Sequence, residues 1–209
     1  WLADVSGQTL LRMEFDAAKS ESQEEPSLLL ERLLSARTVL IFGEVTARLA
    51  ESVTAQLLAL AARGPEPIRI LISSQGGHVE SGDVIHDVIR FIEPEVKMVG
   101  TGWVASAGAL IYVAAQRENR FALPNTRFLL HEPSGGMTGP VADLEIEARQ
   151  VLAVRARLLR IFSEATGQPL EKIARETSRT HWLSAEEARS YGLVGRIVQR
   201  ASELETGRT

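Results

Sequence analysis

The 209 residues fit one compact domain, long enough to bury a core without cross-links. Hydrophobic residues make up 44% and charged residues 24%. With 23 Lys and Arg against 27 Asp and Glu, the net charge is −4, which excludes a mostly disordered chain and a basic footprint for nucleic acid or anionic membrane. The absence of cysteine removes disulfides, thiolate catalysis and cysteine-ligated metals, and only Lys19, Lys97 and Lys172 are open to amine chemistry.

From Trp1 onward no signal-peptide pattern is visible, and the expectation is a cytoplasmic protein. Residues 1–26 are polar, with Glu21, Glu24 and Glu25 before Pro26, and read as an N-terminal extension or hairpin. Ser27 then caps a helix to about residue 35, whose leucines suit one buried face. Strands and helices alternate from there: a strand at 39–42, a helix at 48–62 stopped by Gly64-Pro65, and a strand at 68–72. A helix at 84–92, a strand at 96–101, a helix at 106–115 and a strand at 127–131 follow. Residues 98–116 carry no formal charge, but their glycines and hydroxyls fit a buried strand, turn and helix better than a membrane span. The alternation predicts an α/β fold of βαβ units with a mainly parallel sheet.

After Gly135-Gly136 and Gly139-Pro140 comes a periodic helix at about 140–166, ending at Gly167. Asp143, Glu145 and Glu147 lie in its first half and Arg149, Arg155, Arg157 and Arg160 in its second, an order that complements the helix dipole. At 1.5 Å per residue it is about 40 Å long. A helix that outreaches its own core is a candidate subunit interface. A helix at 185–191 and a strand at 193–198 close the chain.

Ligands of open α/β sheets bind beyond the carboxyl ends of the strands, and three ends here carry chemistry. Ser73-Ser74-Gln75-Gly76-Gly77 is a small turn able to present backbone N–H groups to an anion, without the spacing of a nucleotide loop. Ser106 lies where a loop enters a buried helix, in Gly102-Trp103-Val104-Ala105-Ser106-Ala107-Gly108, and helix-terminal N–H groups there suit an oxyanion. It is either a helix cap or a nucleophile; Val104 rules out the usual Gly-x-Ser-x-Gly elbow. Of four histidines (His78, His86, His131, His181), only His131 ends an apolar strand and precedes a glycine-rich turn. Ser106 and His131 could therefore meet as nucleophile and base. No spacing suggests a metal site, and spacing identifies no acid to orient the histidine.

Taken in order, Ile72-Ser73-Ser74-Gln75-Gly76-Gly77, Ala105-Ser106-Ala107-Gly108-Ala109, Leu123-Pro124-Asn125-Thr126-Arg127, His131-Glu132-Pro133, Trp182-Leu183-Ser184-Ala185-Glu186-Glu187-Ala188 and Tyr191-Gly192-Leu193-Val194 resemble the ClpP family, the proteolytic subunits of ATP-dependent Clp proteases. The resemblance covers about residues 27–200. It implies a crotonase-type spiral of ββα units, with a protruding handle at about 132–166 formed by a strand and the long helix. Residues 1–26 become an extension or axial loop, and 201–209 a C-terminal tail. It further implies two stacked seven-subunit rings around a chamber, unfolded polypeptide as substrate, and an AAA+ unfoldase that uses the ATP. The subunit itself takes no cofactor and no metal.

Carried over by position, Ser106 is the nucleophile, His131 the general base, and the N–H groups of Gly77 and Ala107 the oxyanion donors. The position of the family's third triad residue, an Asp, holds Thr180. Threonine accepts a hydrogen bond but brings no charge for an imidazolium, and in the serine-protease template neutralising that Asp costs about 10⁴ in kcat. Arg179, whose family counterpart pairs across the ring interface with that same Asp, is retained. Gln75 replaces the usual Pro and is expected to loosen the turn holding one oxyanion donor. In the apolar pocket that receives the unfoldase, Leu71, Phe91, Val99, Phe121 and Leu123 fit, while Arg69 and Thr101 replace larger apolar side chains and should weaken docking. The reading is a serine endopeptidase with a weakened triad. The alternatives are an impaired structural or regulatory paralogue in a mixed complex, and a crotonase-type acyl-CoA enzyme that leaves Ser106 and His131 unexplained. A Ser–Lys peptidase is disfavoured because Lys97 lies on a strand, away from any family Ser–Lys position.

Overall fold

A computed structural model describes residues 28–132 and 138–205. It divides into two units by its internal contacts, residues 1–38 and 39–209. Within the first, residues 28–35 form α1, and Leu28, Leu29 and Leu30 are exposed. The cap expected at Ser27 and the extension at 1–26 lie outside the described residues.

The second unit is an α/β fold, in the order β1 (Thr38–Val45, whose first residue belongs to the first unit), α2 (Ala47–Arg63), β2 (Ile68–Gly77), α3 (Val79–Phe91), β3 (Val96–Ala105), α4 (Ala107–Tyr112), β4 (Arg120–Ala122), β5 (Arg127–Leu130), α5 (Val141–Thr166), α6 (Leu170–Thr177), β6 (His181–Ser184), α7 (Ala185–Tyr191) and β7 (Arg196–Ile197). Thr46 caps α2 by accepting a hydrogen bond from the Leu49 N–H, and Ser184 opens α7 with a reciprocal capping box to Glu187. Short single-turn helices precede β4 and follow β7. Among the described residues, no helix is long and apolar enough to cross a membrane.

The sheet runs β1-β2-β3-β4-β7, with β5 leaving this path to pair with β3 and β6. β2, β4 and β5 all lie parallel to β3, whereas β5 and β6 run antiparallel to each other. The split occurs inside β3. Its first half pairs with β4 (Met98 to Gly100), its second with β5 (Trp103 to Ala105), and the register against β2 jumps between Ile72 and Ser74. Glycine makes the bend possible. A Cβ on Gly100 would press within 3.3 Å of Val104, Phe128 and Thr126, and Gly102 takes a φ of +58°. The Thr126 hydroxyl and the Leu123 N–H both donate to the Gly100 carbonyl, at 2.9 and 3.0 Å.

Every residue of α4 is buried, which accounts for the uncharged stretch as a central helix. Ile70, Ile72, Ile85, Met98, Leu110, Tyr112 and Phe128 are buried in the same core of helix and sheet. β2 and β3 are longer than the apolar runs predict, because Ser73–Gly77 and Gly102–Ala105 are poor in β-formers and become strand only by pairing. The long helix is 26 residues as expected, with its first half exposed and Leu158, Leu159 and Phe162 buried near its end. Residues 133–137, within the stretch expected to form a handle, lie outside the described residues.

Candidate active site

Ser106 stands between β3 and α4 with φ +54° and ψ −122°, a conformation that L-residues rarely adopt. Holding it costs on the order of 1–3 kcal/mol. Three contacts impose it. The Ser106 N–H donates to the Leu129 carbonyl of β5 at 3.0 Å, and its own carbonyl accepts from Ala109 and Leu110 in the first turn of α4. Gly76, at φ +94°, lies so close that a Cβ there would be 2.6 Å from the Ser106 Cβ and 2.8 Å from the Ala105 carbonyl. The Ser106 side chain makes no capping hydrogen bond, so it does not serve as a simple helix cap. Gly76→Ala should therefore push Ser106 out of place. We expect a fall of at least about 100-fold in kcat/KM on a short peptide, together with a lowered thermal midpoint, read by steady-state assay and calorimetry.

The glycine turn is not loose. The Ser74 hydroxyl donates to the Gly43 carbonyl at 2.6 Å and accepts from the Gly76 N–H at 3.0 Å. With its amide nitrogen toward β1, Gln75 donates to the Gly43 carbonyl and accepts from the Glu44 N–H, each at 3.2 Å. These bonds fasten the turn to β1 and offset the loosening expected from the loss of Pro. Gly77, at φ +147°, abuts the Val45 carbonyl, which a Cβ would approach to 2.5 Å. The Ala107 N–H belongs to the first turn of α4, whose N–H groups have no intrahelical partner and point toward the loop.

His131 follows β5 and is half-buried. It lines one small cleft together with Ser106, Val79, Leu110, Leu158 and Phe162, so the last two residues come from the anchored end of α5. The cleft holds about 20 Å³, room for one water but not for a leucine side chain, and must open to admit substrate. Among the described residues no hydrogen bond joins the Ser106 hydroxyl to the His131 ring; such bonds commonly tighten only when substrate is bound.

Thr180 immediately precedes β6 and is exposed. β5 and β6 pair antiparallel as far as Leu130 opposite His181, so His131 and Thr180 each lie one residue beyond the last pair of the ladder. The Glu132 N–H donates to the Thr177 carbonyl at 3.1 Å, closing the same junction. The strand is pinned by Trp182, which stacks on Trp103 at 6.5 Å and carries the Arg127 guanidinium 4.2 Å above its ring. The nearby carboxylates are engaged elsewhere. Glu176, one turn earlier, accepts from the Tyr191 hydroxyl at 2.7 Å, and burial together with that carboxylate raises the Tyr191 pKa. Glu132 pairs with Arg155 of α5 at 2.6 Å, and Asp83 of α3 pairs with Arg157, so two ion pairs fasten α5 to the body. Arg179 is exposed.

Among the docking candidates, Val99 and Phe121 form a buried apolar cluster, with Leu71 and Leu123 packed against it. Phe91, at the end of α3, is 80% exposed and outside that cluster. Arg69 and Thr101 are half-buried. Val198 and Leu204 complete the cluster; Leu204 escapes a reading of the sequence because it is a single apolar residue in a polar run. Among the described residues no group of His, Asp and Glu is placed to hold a metal. A hydroxyl and an imidazole lining one cleft with Ala107, at the start of a helix, are parts that an acyl-transfer site requires.

The sequence matches the family described as Clp protease over residues 21–201. It is 59% identical over 172 residues to ATP-dependent Clp protease proteolytic subunit 3 of Rhizobium etli, covering 82% of this chain and 89% of that one. It is 50% identical to proteolytic subunit 2 of Gluconobacter oxydans, covering 97% and 96%. Among solved structures, ClpP1 from Listeria monocytogenes superposes with a TM-score of 0.77 at 50% identity, covering 84% of this chain and 99% of that one.

Proposed function

We propose that this chain, which belongs to the Clp protease family, cuts peptide bonds with Ser106 and His131 and without a charged third residue. It is a serine-type peptidase, a proteolytic subunit of an ATP-dependent Clp protease. Neither the acyl-CoA enzyme nor the purely structural paralogue is favoured by the relatives. The observation that carries the site assignment is the forced backbone of Ser106, in a cleft shared with His131 and beside the turn of Gly76 and Gly77.

In the proposed reaction His131 takes the Ser106 proton as the hydroxyl oxygen adds to the scissile carbonyl. The N–H groups of Gly77 and Ala107 receive the developing oxyanion. The proton then passes from His131 to the leaving amine, and water, activated by the same imidazole, releases the acyl group from Ser106. The apolar lining from Leu110, Leu158 and Phe162 favours an apolar side chain before the scissile bond. Thr180 offers the imidazolium a neutral contact at most, so the subunit is slow alone.

The assembly belongs to the same proposal: two stacked heptameric rings, with α5 as the ring–ring contact and Arg179 near it. Val141 and Leu152, three turns apart on one face, are 74% and 62% exposed, and a monomer has nothing to cover them. A second, fully active ClpP paralogue can replace one ring without changing the chemistry assigned here. A Clp-type AAA+ unfoldase in the cytoplasm docks on the pocket of Leu71, Val99, Phe121 and Leu123. Native mass spectrometry at micromolar concentration should show fourteen-subunit particles, and Leu152→Asp should convert them to single rings. A monomer of 22.9 kDa under all conditions would refute the assembly.

A further inference from the structure

The apolar pocket is already occupied by the chain's own tail. After β7 the chain forms a single helical turn, Ala201–Leu204, and Leu204 is 6% exposed against Val99, Phe121 and Val198. The turn is tied down on both sides. The Lys97 ammonium of β3 donates to the Leu204 carbonyl at 2.9 Å, and the Arg196 guanidinium of β7 donates to the Glu203 carbonyl. The Glu203 carboxylate closes the turn on itself, accepting from the N–H groups of Arg200 at 2.9 Å and Gln199 at 3.3 Å.

The register explains the match between tail and surface. Arg69 lies opposite Lys97 and Phe121 opposite Arg196, so Lys97 and Arg196 border the apolar cluster on the strands that flank the tail. Such a surface fits a turn that offers one aliphatic side chain and backbone carbonyls to the bordering cations, and Glu203-Leu204 is such a turn. Beside the turn a cavity of about 750 Å³ remains, faced by both signs of charge from Glu95, Lys97, Arg117, Glu118, Arg196 and Glu205.

We propose that the Ala201–Leu204 turn is an intramolecular plug, which fills the docking pocket of each subunit and must be displaced before an unfoldase loop can enter. The proposal rests on the reading of this pocket as the docking site. It also defines the incoming partner: a loop with an aliphatic anchor whose backbone carbonyls can replace those of Glu203 and Leu204 on Arg196 and Lys97.

The test uses assembled particles of the full chain, of Leu204→Asp and, in case that variant folds poorly, of a chain ending at Arg200. The host's Clp-type AAA+ unfoldase is titrated with ATP and an unfolded fluorescent substrate. Both variants should lower the half-maximal unfoldase concentration at least tenfold, with unassisted hydrolysis of a short peptide unchanged. A fluorescein-labelled peptide of residues 199–205 should bind the shortened particle and not the full-length one, and its Leu204→Ser version should bind neither. Leu71→Asp, at the pocket itself, should raise the half-maximal concentration. If Leu71→Asp weakens docking while both tail variants leave it unchanged, the pocket is the dock and the plug is refuted. If none of the three changes it, the partner docks elsewhere and both readings fall.

Discussion

Thr180→Asp is expected to raise kcat/KM on a short fluorogenic peptide at least tenfold, about 1.4 kcal/mol of transition-state stabilisation. The geometry favours the gain, because His131 and position 180 both lie just past the Leu130–His181 end of the β5–β6 ladder and the Trp103–Trp182 stack keeps the strand in place. A carboxylate there would hold the imidazole in the tautomer that accepts the Ser106 proton and would offset the charge formed on attack. The ceiling is about 10⁴, the cost of neutralising the corresponding Asp in the serine-protease template. The new Asp also lies next to Arg179 and can tighten the double ring, so rates must be compared at equal concentration of assembled particle. An assembled Thr180→Asp particle with unchanged kcat/KM would mean that the orienting position is elsewhere.

Ser106→Ala should abolish covalent catalysis, yet the fall should be smaller than in a complete triad. Triad members act as a unit, and removing one costs about 10⁶ in kcat when all are present. If the missing charge at 180 has already forfeited about 10²–10⁴, the remaining loss on removing Ser106 is about 10²–10⁴. In the Thr180→Asp background the same substitution should cost correspondingly more, and the double variant should match Ser106→Ala alone. A Ser106→Ala particle that retains the wild-type rate would show that another group does the cutting.

The two proposed catalytic side chains are legible in the sequence because each sits at the end of an apolar strand next to glycine-bearing turns, where periodicity breaks. Their meeting in one cleft is not legible, since it depends on β3 turning at Gly100 and Gly102 to pair with β5. The strained backbone of Ser106 has no local signal either. Val104 replaces the glycine of the familiar elbow, and the strain is set by Gly76 and Leu129, distant in the chain. α6 and β6 escape a reading of periodicity for a related reason. Leu170–Thr177 buries only Ile173 and Thr177 among charged residues, and His181–Ser184 becomes a strand through pairing with β5 and the Trp103–Trp182 stack. The tail reads as an appendage because one leucine among polar residues carries no periodicity; its place is fixed by Val99 and Phe121, far upstream in the chain.

The central claim is that Ser106 is the nucleophile, His131 its base, and the charge at 180 the missing part. The most direct measurement is the rate at which a fluorophosphonate labels assembled particles, with the modified residue located by peptide mass spectrometry. The account predicts labelling at Ser106 alone, slow in the wild type, at least about tenfold faster in Thr180→Asp and lost in His131→Ala. Equal labelling of the wild type and His131→Ala, or modification at a residue other than Ser106, would contradict it.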